Sequence, residues 1–155
     1  MTARRHLLVA AALLLAACGR KAVPIPPELA RPEPPAELAA IATADGVRLG
    51  WERPLHYSGG RRMNDLAGFS IERAPGEGGE PAFVQVGTLE VTDQNRFRKE
   101  RHVEWIDHDV AAGARYLYRV RALTLDGYRS VPAGPVAIRF GPGTPAAAGK
   151  EPPKK

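Results

Sequence analysis

The chain contains a single cysteine, Cys18, and the residues before it limit what its thiol can do. A short basic segment with Arg4 and Arg5 precedes an uncharged apolar run from Leu7 to Ala17. This order is typical of a secretory signal peptide. Eleven apolar residues in a helix reach about 16 Å, roughly half of a hydrocarbon core, so we expect the run to be cleaved and not to span a membrane. The exported thiol then has no second cysteine with which to form an intramolecular disulfide.

The four residues Leu15-Ala16-Ala17-Cys18 resemble the lipobox of bacterial lipoproteins. The resemblance implies that Cys18 is lipidated on its thiol, becomes the first residue after cleavage, and is acylated on its amine. A free or buried cysteine behind an ordinary signal is the alternative. Two or more acyl chains anchor a protein stably, because each buried methylene contributes about 0.8 kcal/mol.

The residue after Cys18 bears on the choice of membrane. In lipoproteins an aspartate there is the usual signal for the inner membrane, whereas this chain has Gly19. The resemblance therefore implies a lipid-anchored protein of the outer membrane that faces the periplasm. The cell surface and the inner membrane are the alternatives.

Titratable residues of the kinds used in catalysis are scattered. His56, His102 and His108 belong to no zinc or nucleophile motif. Asp107-His108-Asp109 is the tightest cluster, but neighbours on an extended chain point to opposite faces, so turn capping is favoured over a metal site. We assign no catalytic residue, no metal and no cofactor, and expect the protein to act by binding or scaffolding.

Basic residues give the sharpest surface feature. Four of them lie within six positions around Phe97, and the loop that starts at Tyr57 combines an aromatic ring, small residues and arginine, as binding loops often do. The alternative is that both stretches are ordinary solvated loops that bind no partner. The candidate binding residues are Tyr57, Arg61, Arg62, Arg96, Arg98, Lys99, Arg101 and Arg129.

Composition divides the 155 residues into four parts. The prediction is a signal peptide at 1–17, a lipidated cysteine with a proline-rich linker at 18–35, one domain at 36–140 and a disordered tail at 141–155. Six of the seventeen residues from 19 to 35 are proline, which favours an extended spacer of up to about 50 Å. Without residues 1–17 the net charge falls from +5 to about +3. This mild excess does not suggest nucleic acid, but it allows weak attraction to anionic lipid or polysaccharide.

Short alternating runs separated by glycine, proline and aspartate predict an all-β sandwich for the domain. Val47, Leu49 and Trp51 fall on one face of one such run, as a half-buried strand requires. For 102–107 the buried face stays open, because Trp105 and Ile106 are both candidates. The predicted strands are 38–42, 47–51, 68–74, 82–89, 102–107 and 115–123, with a last strand in which Val136, Ile138 and Phe140 alternate.

Four features together resemble a fibronectin type III domain over residues 35–140. They are Trp51, the corner 110–116, the run from Tyr116 through Tyr118 to Ala122, and the segment 127–132 before the last strand. The resemblance implies a seven-stranded immunoglobulin-like sandwich, with Trp51 in the core and Tyr116 as the tyrosine-corner residue. The family usually has leucine and proline where this chain has Val110 and Ala112, which weakens the corner.

The resemblance also implies that three loops gather at the end of the domain where the linker enters. The basic candidates would then face anionic headgroups or an acidic partner. We expect a cell-envelope lipoprotein whose domain binds a protein or a polysaccharide, with no nucleic acid partner. One alternative is an assembly factor of the lipopolysaccharide translocon type, from a loose likeness of 18–27 to a small lipoprotein that has glycine where Ala22 stands. An accessory domain that docks an envelope hydrolase is the other.

Overall fold

The computed structural model describes residues 26–141. Cys18, the signal segment and most of the tail, 142–155, lie outside the described residues. The described elements are a single-turn helix at Pro27–Ala30, β1 (Ala36–Thr43), β2 (Gly46–Glu52), β3 (Leu66–Pro75), β4 (Val84–Glu90), a second single-turn helix at Asp93–Arg96, β5 (His102–Asp107), β6 (Arg115–Thr124) and β7 (Ala133–Arg139). Neither of these helices within 26–141 is long and apolar enough to cross a bilayer.

The strands form two sheets that face each other, so the predicted all-β sandwich is confirmed. One sheet has the order β1-β2-β5 and the other the order β4-β3-β6-β7. All neighbouring strands are antiparallel, and the consecutive pairs β1-β2 and β3-β4 are hairpins. Each strand lies within a few residues of its predicted position.

The core fills the space between the sheets with alternate residues of the central strands. Trp51 of β2, Phe69 of β3 and Tyr118 of β6 are fully buried. The rings of Trp51 and Phe69 meet edge to face, with centroids 5.3 Å apart and planes inclined at 67°. This is the geometry that the ring quadrupoles favour.

The inward face of β5, which the sequence left open, carries Trp105. Trp105 lies opposite the buried Leu49 in the β2-β5 ladder, and directly opposite residues share a face. A Cβ built on Gly87 of β4 would lie 2.4 Å from the Trp105 ring. Glycine at position 87 therefore lets the indole close the gap between the two edge strands, and Ile106 points outward.

The tyrosine corner forms in spite of its two departures from the family pattern. The backbone N–H of Ala111 donates to the Tyr116 hydroxyl oxygen over 2.9 Å. Val110 packs against the core. The corner thus needs the tyrosine and the backbone more than it needs leucine and proline.

Candidate functional site: the linker pole

The antiparallel order collects three loops and the start of β1 at one end of the sandwich. We call this end the linker pole. It comprises the segment 26–35, the β2-β3 loop (53–65), the β4-β5 loop (91–101) and the β6-β7 loop (125–132). The connections 44–45, 76–83 and 108–114 lie at the opposite pole. The linker pole holds every basic residue that the sequence marked as a candidate.

The segment 26–35 lies against the domain, where the sequence predicted an extended spacer. Ser58 donates its backbone N–H to the carbonyl of Arg31 over 2.8 Å, and Glu33 donates to the carbonyl of His56 over 3.0 Å. Pro32, which forms an antiparallel bridge with Tyr57, is fully buried. Proline lacks a donor of its own, but the carbonyl of Arg31 and the N–H of Glu33 on either side of it are both paired, and the β2-β3 loop supplies both partners.

The β2-β3 loop is a small hairpin built around Tyr57. Tyr57 exchanges backbone hydrogen bonds across the loop, with its N–H 2.9 Å from the carbonyl of Arg61. Its hydroxyl donates to Oδ1 of Asp65 over 2.5 Å, and the Arg61 guanidinium lies 4.8 Å from the ring centre. Burial, reinforced by the Asp65 carboxylate, raises the pKa of Tyr57 to about 12. The proposed binding role of Tyr57 therefore needs correction, because its side chain is buried and holds the loop together.

Arg96 also differs from its predicted role. Its Nε donates to the carbonyl of Leu66 over 3.1 Å, and its Nη1 forms a 2.6 Å ion pair with Asp93. Only 12% of the side chain is exposed. Arg96 fastens the β4-β5 loop to β3, so it is not a free surface cation.

Arg53 is a residue of this pole that the sequence did not single out. It is 7% exposed and donates to the backbone carbonyls of Asn95 and Arg96. Its Nε has no hydrogen-bond partner, and it forms no ion pair with any residue from 26 to 141. Burial lowers the pKa of its guanidinium, which is still protonated at neutral pH. The sequence carries only a weak sign that Arg53 is buried, namely its place between the end of a strand and a proline.

The remaining candidates are exposed at the linker pole. Arg101 lies 3.6 Å from the carboxylate of Glu52, a surface ion pair of small energetic value. The other candidate cations form no ion pair with the described residues. They are Arg61, Arg62, Arg98, Lys99 and Arg129.

Exposed apolar side chains are concentrated at the same pole, which sequence reasoning largely missed. Phe97 is 73% exposed and Leu125 is 60% exposed. Ile41 and Val84 are the exposed large hydrophobic residues of the described chain that lie in strands. The β6-β7 loop carries its apolar residues without alternation, so no periodic signal marked them. The exposed large hydrophobic residues of the pole are Leu29, Leu55, Phe97, Leu125, Tyr128 and Val131.

A cleft of about 140 Å³ lies between the β2-β3 and β4-β5 loops. Its lining contains no aspartate or glutamate. The lining residues are Arg53, Pro54, Leu55, Arg62, Met63, Asn64, Leu66, Arg96, Phe97 and Arg98. A second cleft of about 170 Å³ shares Arg53 and Arg98 with the first, but its lining includes Glu90 and Glu100.

The acidic cluster at the opposite pole is used for structure. Asp107, predicted to cap a turn, accepts the backbone N–H of Asp109 over 3.0 Å. Its other oxygen accepts from the Tyr118 hydroxyl over 2.9 Å and from Arg73 Nη1 over 2.8 Å. His108 turns away, with Nδ1 2.8 Å from the carbonyl of Asp45. In the part of the chain that the structure describes, no three His, Cys, Asp or Glu side chains converge as metal ligands would.

Comparison with solved structures identifies the fold. One similar structure is the twitchin kinase region from C. elegans, with a TM-score of 0.53, 20% identity, and coverage of 72% of this chain and 17% of that one. Another is the third fibronectin III domain of the human KIAA0343 protein, with a TM-score of 0.50, 12% identity, and coverage of 84% of this chain and 99% of that one. No protein-family model and no curated sequence matches the chain. The domain has a fibronectin type III-like fold, as its sequence predicts.

Proposed function

We propose that this protein is a lipid-anchored cell-envelope protein whose fibronectin type III-like domain is a binding or scaffolding module held close to the membrane. The observation that carries the proposal is the docking of residues 26–35 on the β2-β3 loop. This contact fixes the pole at which the chain enters the domain, and the lipid would be attached upstream of it.

The docked segment shortens the tether. Only seven residues lie between Cys18 and Pro26, and the chain can span less than about 30 Å over that stretch. The sequence alone suggested a spacer of up to about 50 Å. With Cys18 acylated, the linker pole faces the bilayer within this shorter reach.

The side chains at the linker pole are suited to recognition. A guanidinium keeps its proton at physiological pH, so arginine cannot serve as a general base there. It does attract anions, and exposed rings such as Phe97 contact apolar surface. With this pole turned to the membrane, the two sheet faces and the opposite pole face the partner, an envelope protein or a polysaccharide.

Intact-protein mass spectrometry of membrane fractions from the native host tests the anchor. The wild-type chain should begin at Cys18 and carry acyl mass, and the Cys18→Ser variant should leave the membrane fraction. An unmodified Cys18 in a wild-type protein that fractionates away from membranes would refute the proposal.

A further inference from the structure

We propose that the acid-free cleft of the linker pole binds the phosphate group of an anionic phospholipid headgroup at the membrane surface. This inference rests on the proposed function, because acylation of Cys18 is what would bring the cleft to a bilayer. It adds a ligand and a site to that function. The cleft would set the orientation of the domain on the membrane, whereas the tether by itself limits only the distance.

Uncompensated positive charge is the first argument. Of the four arginines that line the cleft, Arg96 is neutralised by Asp93. Arg53, Arg62 and Arg98 form no ion pair with the described residues. Guanidinium groups bind phosphate oxygens through paired N–H donors, which makes arginine the usual residue for such sites.

The burial of Arg53 is the second argument. A buried charge without an opposite charge destabilises a folded protein, and removal from water makes its attraction for an anion stronger. Backbone carbonyls satisfy part of the Arg53 guanidinium, while its Nε stays unpaired. A phosphate in the cleft supplies the missing negative charge.

The shape and rim of the cleft favour a lipid headgroup over an acidic protein. Its volume of about 140 Å³ equals that of roughly four or five waters at about 30 Å³ each, enough for a phosphate group. Leu55, Met63 and Phe97 form its apolar wall. At a bilayer interface, basic and apolar side chains find anionic headgroups and acyl chains within a few ångströms of each other. The charges of an acidic peptide would match those of the cleft, but they would offer no apolar surface to the exposed ring of Phe97.

Calorimetric titration of the full chain carrying Cys18→Ser tests the site without the covalent anchor. The probes are monomeric dihexanoyl phosphatidylglycerol, dihexanoyl phosphatidylcholine and inorganic phosphate. We expect saturable binding of the phosphatidylglycerol probe, at least tenfold tighter than that of the other two. All variants carry the same amino-terminal segment, so any affinity that this segment has for lipid is equal among them.

Two pairs of variants locate the binding. Arg62→Gln with Arg98→Gln should weaken phosphatidylglycerol binding at least tenfold, whereas Arg48→Gln with Arg115→Gln, which removes two exposed arginines outside the pole, should leave it unchanged. Phe97→Ser should weaken binding of the lipid probe but not of inorganic phosphate. Val84→Ser, a comparable exposed residue on β4, should affect neither.

The outcomes separate the possible ligands. Equal affinity for inorganic phosphate and phosphatidylglycerol would overturn the lipid assignment in favour of a free phosphate. If none of the three probes binds the Cys18→Ser chain, or if binding does not depend on Arg62 and Arg98, the site is overturned. An acidic protein partner would then be favoured. Because the titration uses unacylated chain, its result is independent of whether Cys18 is lipidated in the host.

Discussion

At the scale of single residues, two buried charges distinguish the poles of the domain. Asp107 is 3% exposed and is neutralised by Arg73. Arg53 is almost as buried, but its partners are uncharged carbonyls. If the linker pole served stability alone, an acidic partner for Arg53, or an apolar residue in its place, would make the fold more stable. The unpaired charge of Arg53 is therefore consistent with our proposal that the linker pole binds an anion.

The Asp107→Asn substitution tests the balanced pair. Asparagine keeps hydrogen-bonding oxygen at this position but removes the charge, which leaves the Arg73 guanidinium without its buried counterion. We expect the free energy of unfolding, measured by urea denaturation, to fall by about 3 kcal/mol. Asp109→Asn is the matched control, because the Asp109 carboxylate is fully exposed and 3.8 Å from Arg73; its loss should leave the free energy of unfolding nearly unchanged. Equal effects of the two changes would show that the pair does not stabilise the fold.

The sequence predicted residues whose role is set by local pattern and missed those whose role is set by distant partners. The alternation of its strand placed Trp51 on the buried face, and the resemblance to fibronectin type III domains implied the corner role of Tyr116. Tyr57 and Arg96 looked like surface binding residues because their partners, Asp65 and the carbonyl of Leu66, become neighbours only through the loop conformation. For Arg53 no sequence pattern distinguished a buried arginine from a solvated one.

At the scale of elements, the docked segment 26–35 differs most from what the sequence predicted. Composition predicted an extended, solvated chain, and the strand-like bridge at Pro32 depends on a loop more than twenty positions away. The seven strands were easier to predict, because alternation and turn residues are local signals. Segments held by non-local backbone pairing carry no such signal in one sequence.

Substitution at Gly59 should release the docked segment. A Cβ at Gly59 would lie 3.2 Å from Cβ of Leu29 and 3.3 Å from its carbonyl oxygen, so Gly59→Val pushes the helical turn away from the loop. We expect amide hydrogen-exchange protection of Glu33 and Ser58 to fall on the order of tenfold, or about 1.4 kcal/mol. Gly79→Val is the control, since a Cβ there meets nothing within 4 Å. Protection that survives Gly59→Val would mean that the segment is held by other contacts.

At the scale of the whole molecule, the two ends of the domain differ in their surface chemistry. Its linker pole collects exposed rings, aliphatic side chains and unpaired cations, and the chain enters at that same end. The antiparallel topology explains the coincidence, because it brings three loops beside the start of β1. If Cys18 is acylated as we propose, the tether would limit the distance from the membrane and the linker pole would fix the orientation.

The orientation of the domain on an anionic membrane tests most directly the proposal that the linker pole faces the bilayer. The acylated protein would carry a fluorophore either at Ser58→Cys on the linker pole or at Glu80→Cys at the opposite pole, about 30 Å away along a ten-residue strand. Energy transfer to headgroup-labelled lipid in phosphatidylglycerol vesicles should be strong from position 58 and weak from position 80. Equal transfer from the two positions, or stronger transfer from position 80, would contradict the account.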